Sequence, residues 1–364
     1  MNFSSLRSFI FLPKNFVGVD IGTSAIKMVE VSGWGNQRRL KSYGELRSAT
    51  FYETPFRTFQ WNTLFLSSKE VARAIRAIQN EAGIHSTKAV FSLPDFSSFF
   101  TTFDLPPMPE DEISNAVQFE ARKHIPIPLS EVSYDWQKVS NSKKEGATKI
   151  LMVAVPKEAV AQYQQIAAMA KLQLVLLEAE IFGIIRSCVL PDSSGLAMIL
   201  DIGAQTTTIS IVRGTMLHAS HSVEIAGNSF SARIASTLDV DYETAEQKKL
   251  AEGLQVAAGT AKVLVPLIDQ IIWEMHKIAG SITGEKEQIG KIILAGGSAP
   301  LLGLKEYMQE HFERATGSPA RTKGIVEIVH PFQSMFYPPI LEKKLKEHGP
   351  AYAVAAGMAL RGFS

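Results

Sequence analysis

Two short segments of the chain carry the same residue types in the same order, and that order could do chemistry. Val19-Asp20-Ile21-Gly22-Thr23-Ser24 and, half a chain later, Leu200-Asp201-Ile202-Gly203-Ala204-Gln205 share an apolar residue, Asp, Ile and Gly, followed by small or polar residues. An apolar run precedes each copy and a second run follows it, which predicts strand, tight turn, strand. Glycine at such a turn lets the backbone approach a ligand closely, and successive exposed amides then form a concave anion site. Hydroxyls at Thr23, Ser24, Thr206 and Thr207 add donors. A carboxylate beside a phosphate repels it, so Asp20 and Asp201 make chemical sense with a magnesium ion, or its coordinated water, between. One Asp-Ile-Gly could merely end a strand in a turn. Two copies, each continued by a β-run, point to duplicated lobes facing each other across a cleft. A third element, Leu294-Ala295-Gly296-Gly297-Ser298, follows a strand and precedes a helical pattern. Its glycines allow a ribose, adenine or α-phosphate to come close; a plain turn before a helix is the other reading.

The elements that must position these loops are legible in outline. A helix is predicted from the capping-box pair Ser67 and Glu70, through the stripe Val71, Ala74, Ile75, Ile78 and Ala82, to a stop at Gly83. From Lys88 to Ala167 the order β-β-α-β-α suggests a self-contained α+β insertion, its first helix opening at Pro109 and ended by Ile125-Pro126-Ile127-Pro128. In the second half, Leu264, Leu267, Ile268, Ile271, Met275 and Ile278 recur at helical spacing and predict a core-facing stripe.

Bulk properties narrow the function classes. At 364 residues the chain exceeds what one core usually supports, so two lobes are expected. Thirty-seven Lys and Arg against 36 Asp and Glu leave a net charge of +1, which gives no field to attract nucleic acid or anionic lipid. Cys188 is the single cysteine, excluding an intramolecular disulfide and a cysteine-based zinc site, and a reducing cytoplasm fits. The apolar run Phe9-Ile10-Phe11-Leu12 is far short of the ~20 residues needed to span a bilayer, and it lacks the pattern of a signal peptide.

With these residues in hand, the chain resembles the actin, sugar kinase and Hsp70 ATPase superfamily. That superfamily's phosphate 1, phosphate 2 and adenosine motifs look like residues 19–31, 199–212 and 293–303, and its small-residue interlobe helix like 349–362. Within it the chain is similar to the PilM family of type IV pilus assembly proteins. The resemblance rests on Val17 through Lys27, on Ala116-Val117-Gln118-Phe119-Glu120-Ala121-Arg122-Lys123-His124-Ile125-Pro126-Ile127-Pro128 with Asp135 downstream, and on Leu177-Glu178-Ala179-Glu180. It implies an α/β, two-lobed actin-like ATPase (ribonuclease H-like) fold with an inserted α+β 1C subdomain, as in FtsA. The implied division is an extension over 1–15, subdomain 1A over 16–87 and 168–195, 1C over 88–167, 2A over 196–240 and 289–340, 2B over 241–288, and a C-terminal helix over 341–364 returning to 1A.

The same resemblance implies ATP and Mg2+ as ligands. Asp20, Gly22, Thr23, Ser24 and Lys27 would face Asp201, Gly203, Gln205 and Thr206. Both aspartates would hold the metal through water, and Glu180 would position a magnesium-bound water. Gly227 and Asn228 would approach the ribose, Glu246 and Lys249 would neighbour the adenine, and Gly296, Gly297 and Ser298 would form the adenosine motif. The implied partner is the N-terminal cytoplasmic peptide of the membrane protein PilN, clasped between 1A and 1C, with Phe119, Glu120, Arg122 and Ile125 as contact residues. Other pilus platform proteins and assembly ATPases are further implied partners, with the chain cytoplasmic and peripheral on the inner membrane through its partner. Ala204 and Gln205 replace the small hydroxyl residues common in relatives, leaving one fewer donor. No basic catalytic dyad is evident, so ATP is expected to act mainly as a conformational ligand, with at most slow hydrolysis. Two other functions share the cleft. A sugar- or acetate-kinase-type phosphotransferase would need a substrate base and pocket where this chain has the insertion. An FtsA-like filament former would end in an amphipathic helix rather than in Arg361-Gly362-Phe363-Ser364.

Overall fold

The structure is a computed structural model that describes residues 13–51, 56–57, 64, 66–95, 98–139, 147–188, 195–255, 259–282, 289–312 and 324–364. The expected extension over 1–15 lies, up to residue 12, outside the described residues.

Thirteen strands are described: β1 (Lys14–Ile21), β2 (Ala25–Trp34), β3 (Gln37–Arg47), β4 (Lys88–Leu93), β5 (Phe99–Leu105), β6 (Val132–Val139), β7 (Thr148–Pro156), β8 (Gln173–Ala179), β9 (Leu196–Ile202), β10 (Thr207–Arg213), β11 (Met216–Val223), β12 (Ile289–Ala295) and β13 (Ile325–Ile328). They form two five-stranded sheets of one design. The first runs β3-β2-β1-β4-β8 and the second β11-β10-β9-β12-β13. In each, the first three strands form an antiparallel meander and the last two lie parallel to the central strand. The predicted duplication is therefore a duplication of whole sheets. From Val17 to Ile21, β1 has every residue buried, which explains its continuous apolar reading: elements cover both faces.

The helices are α1 (Ser48–Phe51), α2 (Ser68–Glu81), α3 (Ile113–Ala121), α4 (Lys157–Met169), α5 (Glu180–Cys188), α6 (Gly227–Leu238), α7 (Tyr242–Glu252), α8 (Gly259–Ile282), α9 (Leu304–Glu310), α10 (Glu342–His348) and α11 (Ala353–Arg361). The capping box at Ser67 and Glu70 is present, and Val71, Ala74, Ile75 and Ile78 are buried as their spacing predicts. Gly83 takes the left-handed conformation that ends the helix, φ +62°, and Ile84 N–H closes back on the Gln79 carbonyl at 2.9 Å. The α8 stripe is likewise buried, and it shares one core with β9, β12 and α6. The described residues of α7 and α8 thus share the core of the second lobe's sheet. Among the described residues no helix is long and apolar enough to cross a membrane.

The insertion is narrower than 88–167. β4 pairs in parallel with β1, Val17 opposite Ala89, and α4 packs Ala159, Tyr163, Ile166 and Ala167 into the first lobe's core. What remains is the sheet β5-β7-β6 carrying α3, with its own core of Phe103, Val117, Ile125, Ile150 and Met152. The order within it also differs, because β6 was not expected. Its residues Val132, Tyr134 and Trp136 alternate toward that core.

Between the two large sheets lie α5 and α11. Ile181, Ile184 and Ile185 of α5, with Val354 and Met358 of α11, share one cluster with Val90 of the first sheet and Ile199 and Ile293 of the second. Small residues permit this. A Cβ on Gly18 would overlap the Ala355 carbonyl, and one on Gly357 would overlap the backbone of Gly183. The N-terminal end of each of these two helices opens onto the cleft that holds the paired loops.

Candidate functional site

The two Asp-Ile-Gly turns are superimposable in their bonding. Gly22 N–H donates to the Ala25 carbonyl at 2.9 Å, and Gly203 N–H donates to the Thr206 carbonyl at 3.0 Å. Ile21 pairs with Ile26 and Ile202 with Thr207, so each aspartate sits one residue before its turn. A Cβ on Gly22 would stand 2.9 Å from the Ala25 carbonyl oxygen, and one on Gly203 3.1 Å from that of Thr206, so a side chain at either turn would press on the carbonyl that closes it. Asp20 is held by the next strand: Ser92 Oγ donates to its Oδ1 at 2.8 Å. Opposite, Gly296 adopts φ +89°, and a Cβ there would stand 2.5 Å from Asp201 Oδ1. Only glycine lets the end of β12 pass that carboxylate.

These groups line one cleft. From the first lobe come Asp20, Gly22, Thr23, Ser24, Lys27 and Glu180; from the second, Asp201, Gly203, Gln205, Thr206, Gly296 and Gly297. The segment leading into α11, Pro350 to Val354, closes one wall, and Gly296 N–H donates to the Pro350 carbonyl at 3.0 Å.

Two further site residues escaped the sequence reading. Arg57 lines the cleft, buried, and its Nη2 donates to Glu180 Oε1 at 2.7 Å. Burial opposes its charge, but Glu180 first, then Tyr163 and Asp20, hold the guanidinium charged above its ordinary range. Asp95 is buried just past β4 and accepts the Ile181 N–H at 3.1 Å, capping the first turn of α5. Its pKa lies well above the carboxylate range through burial and the charge of Glu180. No local pattern marks Arg57. Asp95 does leave a trace, as a lone acid after the apolar run Ala89-Val90-Phe91-Ser92-Leu93.

The carboxylates load one another. Burial pushes Glu180 up to about 7, with Asp20 and Asp201 adding and Arg57 opposing. Burial, then Asp20, pushes Asp201 up to about 6 against Lys27 and Arg57. Crowded oxygen donors of this kind suit a hard divalent cation, whose charge would relieve that repulsion. Among the described residues no three His, Cys, Asp or Glu side chains are grouped to hold one ion directly. An ion here would complete its shell with water and phosphate oxygens, as magnesium commonly does. The residues fit a magnesium–polyphosphate ligand.

Beside the cleft, the other predicted residues form a bonded network rather than part of its lining. Gly227 N–H donates to the Gly203 carbonyl at 3.1 Å and Asn228 N–H to that of Ala204 at 2.7 Å, which docks the start of α6 on the second loop. Lys249 Nζ, buried, donates to the Gly227 carbonyl at 3.1 Å and to Glu246 at 2.7 Å, and Glu246 also accepts from Ser231. Ser298 Oγ donates to the Gly203 carbonyl at 3.2 Å. Lys249 is thus engaged in holding Gly227.

On the insertion, Phe119 is 66% exposed with Lys123 Nζ 5.5 Å from its ring centroid. Lys123 also pairs with Glu120 at 2.6 Å, and Arg122 is exposed beside them. Ile125 departs from the expected surface group. It is 6% exposed and packs against the insertion's core, because the turn ending α3 folds it under the sheet.

Two sheets of one topology, each ending its central strand in an Asp-Ile-Gly turn, with two helices between them, define an actin-like ATPase fold. The family model described as "Type IV pilus assembly protein PilM" matches residues 18–363, and the chain belongs to that family. A solved "PilM-PilN type IV pilus biogenesis complex" is similar at 26% identity and a TM-score of 0.78, over 96% of this chain and 98% of that one. The ethanolamine utilization protein EutJ from Carboxydothermus hydrogenoformans shares the fold at 15% identity and a TM-score of 0.56, over 96% of this chain and 90% of that one. MreB5 of Spiroplasma citri, in a structure described as bound to ADP, does so at 12% identity and 0.55, over 95% of each chain.

Proposed function

We propose that this chain binds ATP with Mg2+ in the interlobe cleft and uses the nucleotide-dependent position of its lobes to govern capture of the N-terminal cytoplasmic peptide of PilN. The observation that carries the reading is the twin turns, bonded alike, with Asp20 and Asp201 across one cleft. Gly22, Thr23, Ser24 and Lys27 would hold phosphate oxygens from one side and Gly203, Gln205 and Thr206 from the other. Gly296 and Gly297 would admit the nucleoside end, supported from behind by Gly227, Asn228, Glu246, Lys249 and Ser298. Magnesium, when bound, would supply positive charge between the phosphates and the two aspartates, which would hold it through water.

Glu180 would orient a water near the last phosphate, yet it is bonded to Arg57, and hydrolysis is at most slow. Nucleotide acts mainly as a conformational ligand. The route runs through α5: Glu180 opens that helix at the cleft, and Gly183, one turn on, meets α11 between the lobes.

For the partner, similarity to a PilM–PilN complex supports a PilN peptide, and exposed Phe119 with Glu120 and Arg122 offers it an apolar and charged surface. The chain then works in the cytoplasm as a peripheral part of the inner-membrane platform, with other platform proteins and assembly ATPases within reach. The test is a calorimetric titration with ATP and magnesium, followed by binding of a labelled PilN N-terminal peptide with and without nucleotide. Micromolar or tighter nucleotide binding that changes peptide affinity upholds the reading. Peptide binding indifferent to nucleotide would remove the coupling.

A further inference from the structure

Arg57 has no part in the turns that carry the nucleotide reading, yet it is the cation most deeply committed to the cleft. Its side chain is buried and bonded to Glu180 at 2.7 Å. Its segment is tied to the first loop, since Phe56 N–H donates to the Thr23 carbonyl at 2.9 Å. A buried ion pair is a poor stabiliser, because both ions lose hydration and apolar packing of the same volume does as well. Its place in a cleft wall points to a use.

The chemistry narrows that use. A guanidinium is a planar fork matched to phosphate oxygens, and it exchanges one oxyanion for another without changing protonation. Among the described residues lining the cleft, Lys27 and Arg57 are the cations, set against Asp20, Glu180 and Asp201. Lys27 stands on β2 directly opposite Asp20, beside the first turn. Arg57 stands with Glu180 in the first lobe, whereas Gly227, Gly296 and Ser298 all belong to the second. A polyphosphate whose nucleoside end lies on the second lobe extends its far end toward the first-lobe wall that carries Arg57 and Glu180.

Resting on the nucleotide reading above, we propose that Arg57 recognises the terminal phosphate of a nucleoside triphosphate, its guanidinium exchanging Glu180 for that phosphate. Two consequences follow from one exchange. The cleft tells triphosphate from diphosphate, and Glu180 is released at the head of α5 only when the last phosphate is present. Ser48 N–H, bonded to the Ser24 carbonyl at 2.8 Å, ties the end of β3 to the same loop.

The experiment measures dissociation constants for a nonhydrolysable ATP analogue and for ADP, each with magnesium, on the full chain and on Arg57→Gln and Arg57→Lys. Arg57→Gln is expected to weaken the analogue about 10- to 100-fold, the worth of one charge-assisted hydrogen bond, while ADP stays within about twofold. Arg57→Lys should fall between. The ratio of the two constants is taken on one preparation, so a partly unfolded variant lowers both alike and still decides, and Arg57→Lys keeps the buried charge if the glutamine variant does not fold. Equal loss for both nucleotides, or none, overturns the role of Arg57 and leaves the nucleotide reading standing. A wild-type chain that binds neither nucleotide overturns both.

Discussion

Gly183 and Gly357 meet backbone against backbone where α5 crosses α11, and a Cβ on Gly357 would overlap the Gly183 carbonyl. The crossing lies between the lobes and one turn from Glu180, so helix packing and cleft chemistry share one element.

Gly357→Ala is therefore expected to do more than overfill a core. Its methyl meets main chain, which cannot step aside as a side chain can, and overpacking of this kind typically costs about 1–3 kcal/mol. A fall in melting temperature of roughly 1–4 °C should follow for a chain of this size. Gly183→Ala is the internal comparison. Its Cβ meets chiefly the flexible end of Met358 at 2.8 Å, with Val354 O at 3.0 Å, and its loss should be smaller in the same thermal melt.

Asp20→Ala should abolish magnesium-dependent nucleotide binding and also cost about 1–2 kcal/mol, because Ser92 Oγ loses its buried acceptor. Asp20→Asn separates the two effects. The amide oxygen can still accept from Ser92, so stability should be near wild type while calorimetry shows nucleotide affinity lost.

Legibility in the sequence followed the range of the interactions. The twin turns were readable because glycine, aspartate and flanking strands are local, and the Gly22 and Gly203 bonds each close within three residues. The edges of the insertion were not, because pairing of β4 with β1 is a long-range event that the run Ala89 to Leu93 cannot announce. Arg57 and Asp95 gained their roles only through tertiary approach: Arg57 meets Glu180 across 123 positions and Asp95 meets Ile181 across 86. Ile125 was misplaced because a proline-flanked isoleucine reads the same whether it faces a partner or its own core.

Ligand-free stability should depend on pH with a sign fixed by the raised carboxylates. Glu180 rises from 4.5 to about 7 and Asp201 from 3.8 to about 6, so the folded chain binds these protons more tightly than the unfolded chain does. Their contribution is fully present below about pH 4 and is lost as pH rises through about 6 to 7. Glu180→Gln should flatten this decline, measured by denaturant unfolding at stepped pH. Magnesium nucleotide binding should run the other way, strengthening from pH 6 to 8 as the carboxylates shed protons.

The surface of α3 should be separable from the cleft. Phe119 is 66% exposed and Arg122 exposed, so Phe119→Ser and Arg122→Glu remove little buried area and should shift stability by less than about 0.5 kcal/mol, whereas Glu120→Lys also breaks the pair with Lys123 and should cost up to about 1 kcal/mol. If the PilN peptide docks here, losing the aromatic anchor should weaken it by about 2 kcal/mol, roughly 30-fold, since exposed aromatics that become buried dominate such interfaces. Nucleotide affinity should not change. Ile125→Ala supplies the contrast: it opens a cavity in the insertion's core, so its effect on the peptide should arrive together with a lower melting temperature. Fluorescence anisotropy of a labelled peptide beside a thermal melt reads both quantities. Normal peptide binding by the three surface variants would move the docking site off α3, whatever the cleft does.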